Sequence, residues 1–307
     1  MDDYIIIDHD EQDPYFNLAA EEYLLHHFDE NIIFLYDNNP CVVLGKHQNA
    51  FDECQVAFCA LNGIEIIRRL SGGGTVFHGP GNLNFTFIKN GKDTSKLIDF
   101  KKHLVPVNAF LHGLNIPSEF SGRNDLLVDG YKVSGNAEHI YNKKKRVIHH
   151  GTLLYDADLK SLNQSIAPKT HMAFTSHAVK SVRSRVNNLI HSLPKPLTFK
   201  QFKDSMFHFL MDYHKAKMYQ FTPNDITAIK ALAASKYQTW DWNFGYSPKF
   251  NVQITEASGA QFDVHVVKGL IEKIDSTNNE INARLQKIIG QSFTTETFQT
   301  CAIEIVF

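Results

Sequence analysis

The glycine-rich segment Arg68–Phe85, RRLSGGGTVFHGPGNLNF, constrains this chain more than any other feature. Three consecutive glycines follow a strand-like run and two arginines. Because glycine lacks Cβ, such a loop lets backbone N–H groups approach a phosphate or a nucleotide closely. Arginine adds a permanent charge and a rigid fork of donors for phosphate oxygens. The segment therefore predicts an adenylate-binding loop, and the alternative is a glycine-rich turn between two strands.

The segment matches neither of two common phosphate-binding signatures. A Walker loop needs G-x-x-x-x-G-K-[ST], and Gly45-Lys46 and Gly91-Lys92 lack both the upstream glycine and the following hydroxyl. A dinucleotide fingerprint needs G-x-G-x-x-G, but Phe77 stands where the third glycine should be. The loop therefore belongs to another class of nucleotide site.

A second segment, Ser121–Leu154, contains GRND, K-x-SG-x-A and HHGTLL in that order. Together with RR-x-SGGG-x-VFH and the following GN, this order resembles the lipoate–protein ligase family of the biotin/lipoate ligase superfamily. The later runs Lys180–Leu189 and Trp240–Pro248 also resemble that family. The resemblance covers about residues 5–250, and the ordered series is far more specific than any single block.

The resemblance implies an α+β fold, with a largely antiparallel sheet, flanking helices and a small C-terminal α+β accessory domain. We expect residues 1–247 to form the catalytic domain and residues 248–307 the accessory domain, which begins after Ser247-Pro248. The implied reaction is cofactor salvage: ATP activates lipoate to lipoyl-AMP, and the lipoyl group moves to a lysine of a carrier. The implied cofactors are ATP and Mg²⁺, with lipoate as substrate. The implied partners are apo lipoyl carrier domains of 2-oxoacid dehydrogenase E2 subunits and the glycine cleavage H protein or an H-like protein.

Lys132 is the predicted catalytic residue. A compact ammonium can contact a phosphate oxygen and the carbonyl oxygen of a mixed anhydride, and so stabilise charge in both half-reactions. The matching lysine of the family binds both ATP and the lipoyl group; the alternative is a solvated lysine beside a turn. The predicted adenylate site also contains Arg69, Ser71, Gly72, Gly73, Gly74, Thr75, Val76, Phe77, Asn82, Asn124 and Asp125, and the predicted lipoate site contains Lys132, His78, His150 and Gly151.

Several of these roles remain open between function and structure. Arg69 is the predicted phosphate ligand, with Arg68 as a second candidate and a surface strand pair as the alternative. Asp125 could orient Lys132, help to hold magnesium or cap a turn. The family often has an aspartate directly after the loop histidine, and Gly79 replaces it here, which leaves the metal ligands unknown. Arg183 and Arg185 could close over the nucleotide or form structural salt bridges.

Composition excludes several other classes. The 307 residues carry a net charge of −2, so no general affinity for nucleic acid or for an anionic membrane is implied. No apolar run reaches the length of a membrane span, and the acidic N-terminus does not resemble a secretory signal. Four cysteines without a C-x-x-C pair indicate reduced thiols and a cytoplasmic protein.

Local patterns predict the elements that carry these motifs. We expect an edge strand at Tyr4–Ile7 and a hairpin of strands Asn31–Tyr36 and Cys41–Leu44. A second hairpin should turn at Asp129-Gly130. Further predicted helices are Phe51–Leu61, Lys101–Leu114, Phe199–Tyr213, Thr222–Ser235 and Asn278–Ile289, with a helix start at Asp13-Pro14 and a final strand near the C-terminus.

Three other functions compete with the ligase. An octanoyl- or lipoyl-transferase of the same fold would use a cysteine thiolate as acyl acceptor, but no cysteine lies in Gly122–Leu154. A biotin ligase is disfavoured because the motif order follows the lipoate branch. A non-catalytic sensor of lipoyl-adenylate would not need Lys132. Lipoate-dependent release of pyrophosphate separates the ligase from the transferase and the sensor.

Overall fold

A computed structural model describes residues 3–94, 97–122, 124–167, 169, 171–256, 259–301 and 303. Within these ranges an eight-stranded sheet has the order β12-β1-β2-β6-β10-β9-β8-β7. Only β12, β1 and β2 pair in parallel, so the predicted antiparallel character is confirmed. The strands are β1 Tyr4–Asp8, β2 Asn31–Tyr36, β6 Asn82–Asn90, β7 Glu119–Ser121, β8 Asp125–Val128, β9 Tyr131–Tyr141, β10 Arg146–Leu154 and β12 Lys217–Met218.

The prediction of an edge strand at the N-terminus is wrong, because the short β12 pairs with the outer side of β1. The predicted hairpin of β2 and β3 (Cys41–Leu44) is also wrong. β3 belongs to a separate three-stranded sheet, between β4 (Glu65–Arg68) and β5 (Val76–His78). The side-chain amide of Asn17 donates to the backbone carbonyl of Asp37 and to Oδ1 of Asn38. These bonds hold the loop after β2 against the helix Pro14–His27 and lead the chain away from the large sheet.

Helices cover both faces of the large sheet. On β2, Ile33 and Leu35 belong to one core, while Ile32 and Phe34 belong to the core of the opposite face. The first core includes residues of α4 (Phe100–Gly113) and α6 (Phe199–His214), and the second includes residues of α1 (Pro14–His27) and α7 (Pro223–Leu232). Asp13 caps α1 by accepting from the amide of Tyr15, as the helix start predicted.

The helix predicted from Phe51 to Leu61 is two helices, α2 (Ala50–Glu53) and α3 (Val56–Leu61). The break lies at Gln55, whose amide donates to the carbonyl of Ser165 at the end of α5 (Leu159–Ser165). No helix in the described part of the chain combines the length and the apolar character that a membrane crossing requires.

The C-terminal segment forms a four-stranded sheet with a strand from the preceding region. Its order is β11-β13-β14-β15, and β11 (Met172–Ser176) pairs antiparallel with β13 along five residue pairs. Phe51 of α2 also lies in the core of this sheet, so the segment after residue 247 shares strands and core with the rest. The predicted C-terminal helix is an α-helix over Asn279–Leu285 that continues as a 3-10 turn over Gln286–Ile288. The predicted final strand lies outside the described residues. The remaining elements are β13 Phe250–Thr255, β14 Gln261–Val267, β15 Leu270–Ser276, α8 Asn279–Leu285 and α9 Thr295–Gln299.

Candidate active site

A cavity of about 670 Å³ lies between the glycine loop, the paired strands β9 and β10, and a segment of residues 177–188 that we call the strap. The strap follows β11 and contributes five residues to the cavity wall. Other wall residues come from α1, β2 and β3. Of the predicted site residues, the cavity is lined by Arg69, Gly72, Gly73, Gly74, Thr75, Val76, His78, Asn124, Asp125, Lys132, His150 and Gly151.

The glycine loop rests on Gly45 at its base. A Cβ on Gly45 would lie 2.1 Å from the carbonyl oxygen of Gly73, so only glycine fits there. Gly73 itself has a φ of +90°, which side-chain-bearing residues rarely adopt. The tripeptide Gly72–Gly74 is therefore fixed by close backbone contact as well as by its own conformation.

Arg69 holds this loop from beneath. Its guanidinium donates to the carbonyls of Gly72 and Gly74, both at 2.7 Å, to the carbonyl of Val43 at 3.0 Å and to Ser71 Oγ at 3.0 Å. Burial lowers the pKa of Arg69 to about 10, which still leaves the side chain charged at neutral pH. With four of its five donors engaged, Arg69 positions the loop, and its predicted contact with a phosphate stays a prediction.

Arg68 is a structural residue and does not reach the cavity. Its side chain is fully buried and donates to backbone carbonyls on two loops, including those of Gln48 and Asn243, both at 2.7 Å. It also donates to the carbonyl of Trp242 at 3.0 Å and to Ser247 Oγ at 3.1 Å. The late block Trp240–Pro248 thus supports the loop from a distance in sequence, which gives that block a structural reason.

Lys132 points into the cavity from β9. Its Nζ lies 2.9 Å from Asp125 Oδ1 on β8, and each side chain keeps about a quarter of its surface exposed, 23% and 26% respectively. A Cβ on Gly135 would lie 3.1 Å from Lys132 Cε, so the lysine crosses a position that needs a small residue. Of the roles predicted for Asp125, orienting Lys132 is the one that this geometry displays.

The strap is bonded to both sides of the cavity. The amide of Lys132 donates to the carbonyl of Arg185 at 2.9 Å, and the amide of Asn187 donates to the carbonyl of Lys132 at 3.2 Å. On the other side, Ser181 Oγ donates to Glu53 and accepts from the amide of Thr75 at 2.9 Å. The strap therefore joins the glycine loop to the lysine.

Sequence reasoning missed Ser181 and Glu53, because a serine in a loop and a glutamate in a short helix carry no distinguishing pattern. Arg183 and Arg185 do not line the cavity in the described structure, and their side chains are exposed. Arg183 donates to the carbonyl of Ile166 at 2.8 Å, and neither arginine forms an ion pair within the described ranges. The salt bridges considered for these arginines are therefore not observed among the described residues, and their closure over the nucleotide stays a prediction.

A buried polar chain leads from the loop to the far end of the cavity. His150 Nε2 lies 2.5 Å from Ser71 Oγ, and His150 Nδ1 lies 2.8 Å from Glu21 Oε2. Glu21 also accepts from the hydroxyls of Tyr36 and Thr86. Because Ser71 accepts from Arg69, its own proton is available for His150 Nε2, so Nδ1–H of His150 donates to Glu21. Ser71 itself lies behind the wall rather than on it.

His78 borders the same end of the cavity. Its Nδ1 lies 3.0 Å from the side-chain amide nitrogen Nδ2 of Asn38, and since this nitrogen can only donate, Nδ1 is the acceptor. Burial, reinforced by the charge of Arg69, lowers the pKa of His78 to about 3. His78 is therefore a neutral imidazole at neutral pH.

Besides Ser71, two predicted residues lie outside the cavity. Phe77 packs in the core around β3 and α3, because β5 points alternate side chains to opposite faces. Asn82 is fully buried and donates to Asn84 Oδ1 at 2.9 Å, and Asn84 is the member of this pair that lines the cavity. On the opposite wall, Asn124 and Asn136 bond each other's backbone carbonyls, at 2.6 and 2.8 Å.

A histidine–glutamate cluster lies beside the cavity. Glu138 Oε1 lies 2.8 Å from His103 Nδ1 and 2.9 Å from His149 Nδ1, and the amide of Asp99 donates to Oε2 at 3.1 Å. Three such donors satisfy a buried carboxylate without a metal ion. Burial lowers the pKa of His149 to about 4. The bonds of Glu138 to Asp99 and His103 hold the start of α4, with Phe100, against the cavity wall.

The four cysteines are buried, and none lines the cavity in the described part of the chain. Burial raises the pKa of the Cys54 and Cys59 thiols, which opposes thiolate formation. A cysteine-dependent acyl transfer therefore finds no nucleophile at this site.

Comparison with known proteins identifies the family. The model of the "Lipoyl protein ligase A/B catalytic domain" matches residues 13–210, more than half of the chain. The chain belongs to this lipoate–protein ligase family. Lipoate-protein ligase LplJ of Bacillus subtilis is 38% identical over 268 residues, covering 85% of this chain and 80% of that protein.

Two solved structures of ligases in this family share the fold. Lipoate-protein ligase A bound with ATP has a TM-score of 0.68 at 21% identity, covering 80% of this chain and 99% of that one. A bipartite ligase from Thermoplasma acidophilum, described with its E2 lipoyl domain, has a TM-score of 0.67 at 20% identity, covering 80% and 98%. The predicted α+β ligase fold is thereby confirmed.

Proposed function

We propose that this chain is an ATP-dependent lipoate–protein ligase that forms lipoyl-AMP and transfers the lipoyl group to a carrier lysine. The observation that carries the proposal is the placement of Lys132, oriented by Asp125, in one cavity with the glycine loop. Membership of the family and the ATP-bound relative support the choice of ATP and lipoate.

The chemistry has two displacements. A carboxylate oxygen of lipoate attacks the α-phosphorus of ATP, the bond from that phosphorus to the oxygen between the α- and β-phosphates breaks, and pyrophosphate leaves. The amine of the carrier lysine then attacks the acyl carbon of lipoyl-AMP, the bond from that carbon to the oxygen shared with the phosphate breaks, and AMP leaves. Both steps develop negative charge on oxygens that one ammonium can contact, so Lys132 serves both. The remaining contribution of the protein is positioning.

The walls suggest which end of the cavity takes which substrate. β5 is an edge strand of its sheet, so we assign its outer backbone edge and the loop Gly72–Thr75 to the adenylate. Leu18, Tyr36 and Val43 surround the end near His150, and we assign this end to the acyl chain. The neutral His78 adds no charge to that end.

The proposal also includes a magnesium ion, for which the cavity wall offers one suitable carboxylate. Asp125 and Glu138 are the carboxylates on the described cavity wall, and the oxygens of Glu138 already accept three hydrogen bonds. Asp125 is therefore the carboxylate suited to a magnesium ion, which commonly takes one or two protein carboxylates together with substrate phosphates. When bound, the ion would neutralise phosphate charge. The nitrogen-rich cluster of His103 and His149 does not fit this ion.

The proposed acceptors are lipoyl domains of E2 subunits and the glycine cleavage H protein or an H-like protein. The bipartite relative is described together with an E2 lipoyl domain, which supports this class of acceptor. We place the reaction in the cytoplasm, because four free, buried thiols suit a reducing compartment.

The decisive experiment measures pyrophosphate release by the purified protein with ATP and Mg²⁺, with and without lipoate, and identifies the bound product by mass spectrometry. We expect lipoate-dependent release and retained lipoyl-AMP. An apo E2 lipoyl domain added afterwards should gain the mass of one lipoyl group. ATP consumption that is independent of lipoate, without an acyl-adenylate, would reject the proposal and leave the transferase or the sensor.

A further inference from the structure

The strap belongs to a stretch of unusual charge. Between Leu159 and Lys203 the sequence contains eight lysines and arginines and neither aspartate nor glutamate, in a chain whose net charge is −2. The strap itself carries Lys180, Arg183 and Arg185 within six residues. A local excess of this kind attracts an acidic partner.

The exposed strap residues sit on a fixed backbone. Ser181 and the Lys132 pairing hold the chain on either side of residues 182–184, and the amide of Val179 donates to the carbonyl of His47 at 3.1 Å. Between these anchors, Val182 is 90% exposed at the edge of the cavity, where a partner can reach its apolar side chain. The arrangement displays an apolar side chain between cations at the cavity rim.

The charges around this rim leave the two arginines available. Lys180 lies 3.4 Å from Asp52, Lys132 pairs with Asp125, and Glu53 is engaged by Ser181. The exposed Asp129 and Glu119 lie on the β7–β9 side. Arg183 and Arg185 are exposed and are absent from the described cavity wall, so their charge lies on the surface beside the cavity.

We propose that Val182, Arg183 and Arg185 form a docking surface for an acidic, partly apolar surface of the carrier domain beside its acceptor lysine. The inference rests on the proposed function, because it names the recognition element of the transfer step. A carrier bound there would present its lysine at the rim of the cavity that contains Lys132. Charge at the rim mainly speeds encounter, and Val182 supplies an apolar contact.

The test separates docking from chemistry. The double variant Arg183→Glu/Arg185→Glu is compared with wild type and with Lys217→Glu/Lys230→Glu. This control makes the same change in charge on β12 and α7, and β12 is at the opposite edge of the large sheet from β7. One assay follows lipoyl-AMP formation from ATP and lipoate. The other follows transfer from preformed lipoyl-AMP to an apo E2 lipoyl domain and to an apo H protein.

We expect the double variant Arg183→Glu/Arg185→Glu, the rim variant, to raise the KM for a carrier about tenfold or more. Its rate of lipoyl-AMP formation and its KM for ATP should stay at the wild-type values. The control should match wild type in both assays. Raising the salt concentration from about 50 to about 300 mM should weaken carrier binding by wild type more than by the rim variant. Val182→Ser should also raise the carrier KM, by a smaller factor.

Two results would overturn the inference without touching the proposed function. One is a wild-type carrier KM in the rim variant. The other is a raised KM for ATP, which would place the arginines on the nucleotide instead. If wild type itself forms no lipoyl-AMP, the proposed function fails, and the docking surface fails with it.

Discussion

At the scale of single residues, Lys132 and Asp125 form the pair on which the proposed chemistry depends. Both are only partly exposed, and the carboxylate fixes the ammonium at one point of the cavity. A flexible lysine would spend most of its time elsewhere, so the pair reduces the entropy that catalysis must remove. Lys132 therefore supplies a positive charge whose position in the cavity is fixed by the ion pair with Asp125.

Lys132→Ala should slow both lipoyl-AMP formation and transfer by a hundredfold to about a thousandfold. The loss of one preorganised donor at a developing oxyanion costs about 3–4 kcal/mol. Lys132→Arg should also fail, because a planar guanidinium does not replace a compact ammonium. Single-turnover rates of the two half-reactions are the measurement, with Lys230→Ala as the control. Normal adenylation by Lys132→Ala would remove this residue from the mechanism.

His78 makes the stability of the protein dependent on pH. Its pKa is about 3 in the folded chain and about 6.5 in an unfolded one. The unfolded state therefore binds more protons between these values, so stability is complete above about pH 6.5 and falls as the pH decreases towards 3. At pH 5 this single group should cost about 2 kcal/mol of unfolding free energy.

The check is urea denaturation at pH 7.5 and pH 5 for wild type and for His78→Asn, which keeps an acceptor for Asn38. The variant should lose less stability on acidification, by about 2 kcal/mol. The exposed His208→Asn should behave as wild type. Equal losses in all three proteins would show that His78 is not the responsible group.

Residue identities predicted the site better than they predicted individual roles. Lys132, the glycines and His150 line one cavity, as the motifs suggested. The support that Arg69 gives to the loop was not predicted, because nothing in a sequence reveals which acceptors a guanidinium will meet. Glu21 escaped notice because its partners Tyr36 and His150 are distant in sequence.

At the scale of elements, the glycine loop depends on its contact with the turn after β3. Gly45→Ala would bring a methyl group to 2.1 Å from the carbonyl oxygen of Gly73, so the loop must shift. We expect adenylation to fall about 100-fold with little loss of secondary structure, because displacement of a binding group by about 1 Å has this effect.

The matched control is Gly113→Ala at the end of α4, where an added Cβ meets no atom within 4 Å. Steady-state kinetics for ATP and lipoate, together with circular dichroism, decide the outcome. If Gly45→Ala adenylates lipoate normally, the loop does not need this close contact.

The elements themselves were partly predictable. The Asp129-Gly130 hairpin is present, and both turn residues have positive φ, as its sequence signal requires. β2 and β3 were expected to pair because they are consecutive apolar strands. Their separation depends on contacts with α1 and on two partners for β3, and neither is encoded locally.

At the scale of the whole molecule, we propose that residues 248–307 act as an accessory domain that helps to organise the site and changes its orientation after lipoyl-AMP forms. β11 modifies this proposal, since it belongs to the accessory sheet and leads directly into the strap. Any motion of the sheet as a unit would reach the strap, and with it the backbone of Lys132.

A disulfide between strands tests whether β11 stays in that sheet. Thr175 and Asn251 are exposed cross-strand partners on β11 and β13. The variant Thr175→Cys/Asn251→Cys, once oxidised, should retain both half-reactions, because the cross-link joins residues that already move together. Each single cysteine variant is the control. Activity that disappears on oxidation and returns on reduction would mean that the two strands separate during the cycle.

The buried hydrogen bonds of Arg68 also determine when the nucleotide site can form during translation. Arg68 leaves the ribosome long before Trp242, Asn243 and Ser247, yet its Nε and one of its two NH2 groups are bonded only when these residues arrive. A growing chain should therefore lack a firm nucleotide site until nearly four-fifths of it has been translated, since a buried, unpaired guanidinium is strongly unfavourable. ATP binding by ribosome-arrested chains that expose residues only up to 235 would contradict this order. If the expected order holds, a newly made chain can bind ATP only when its synthesis is almost complete.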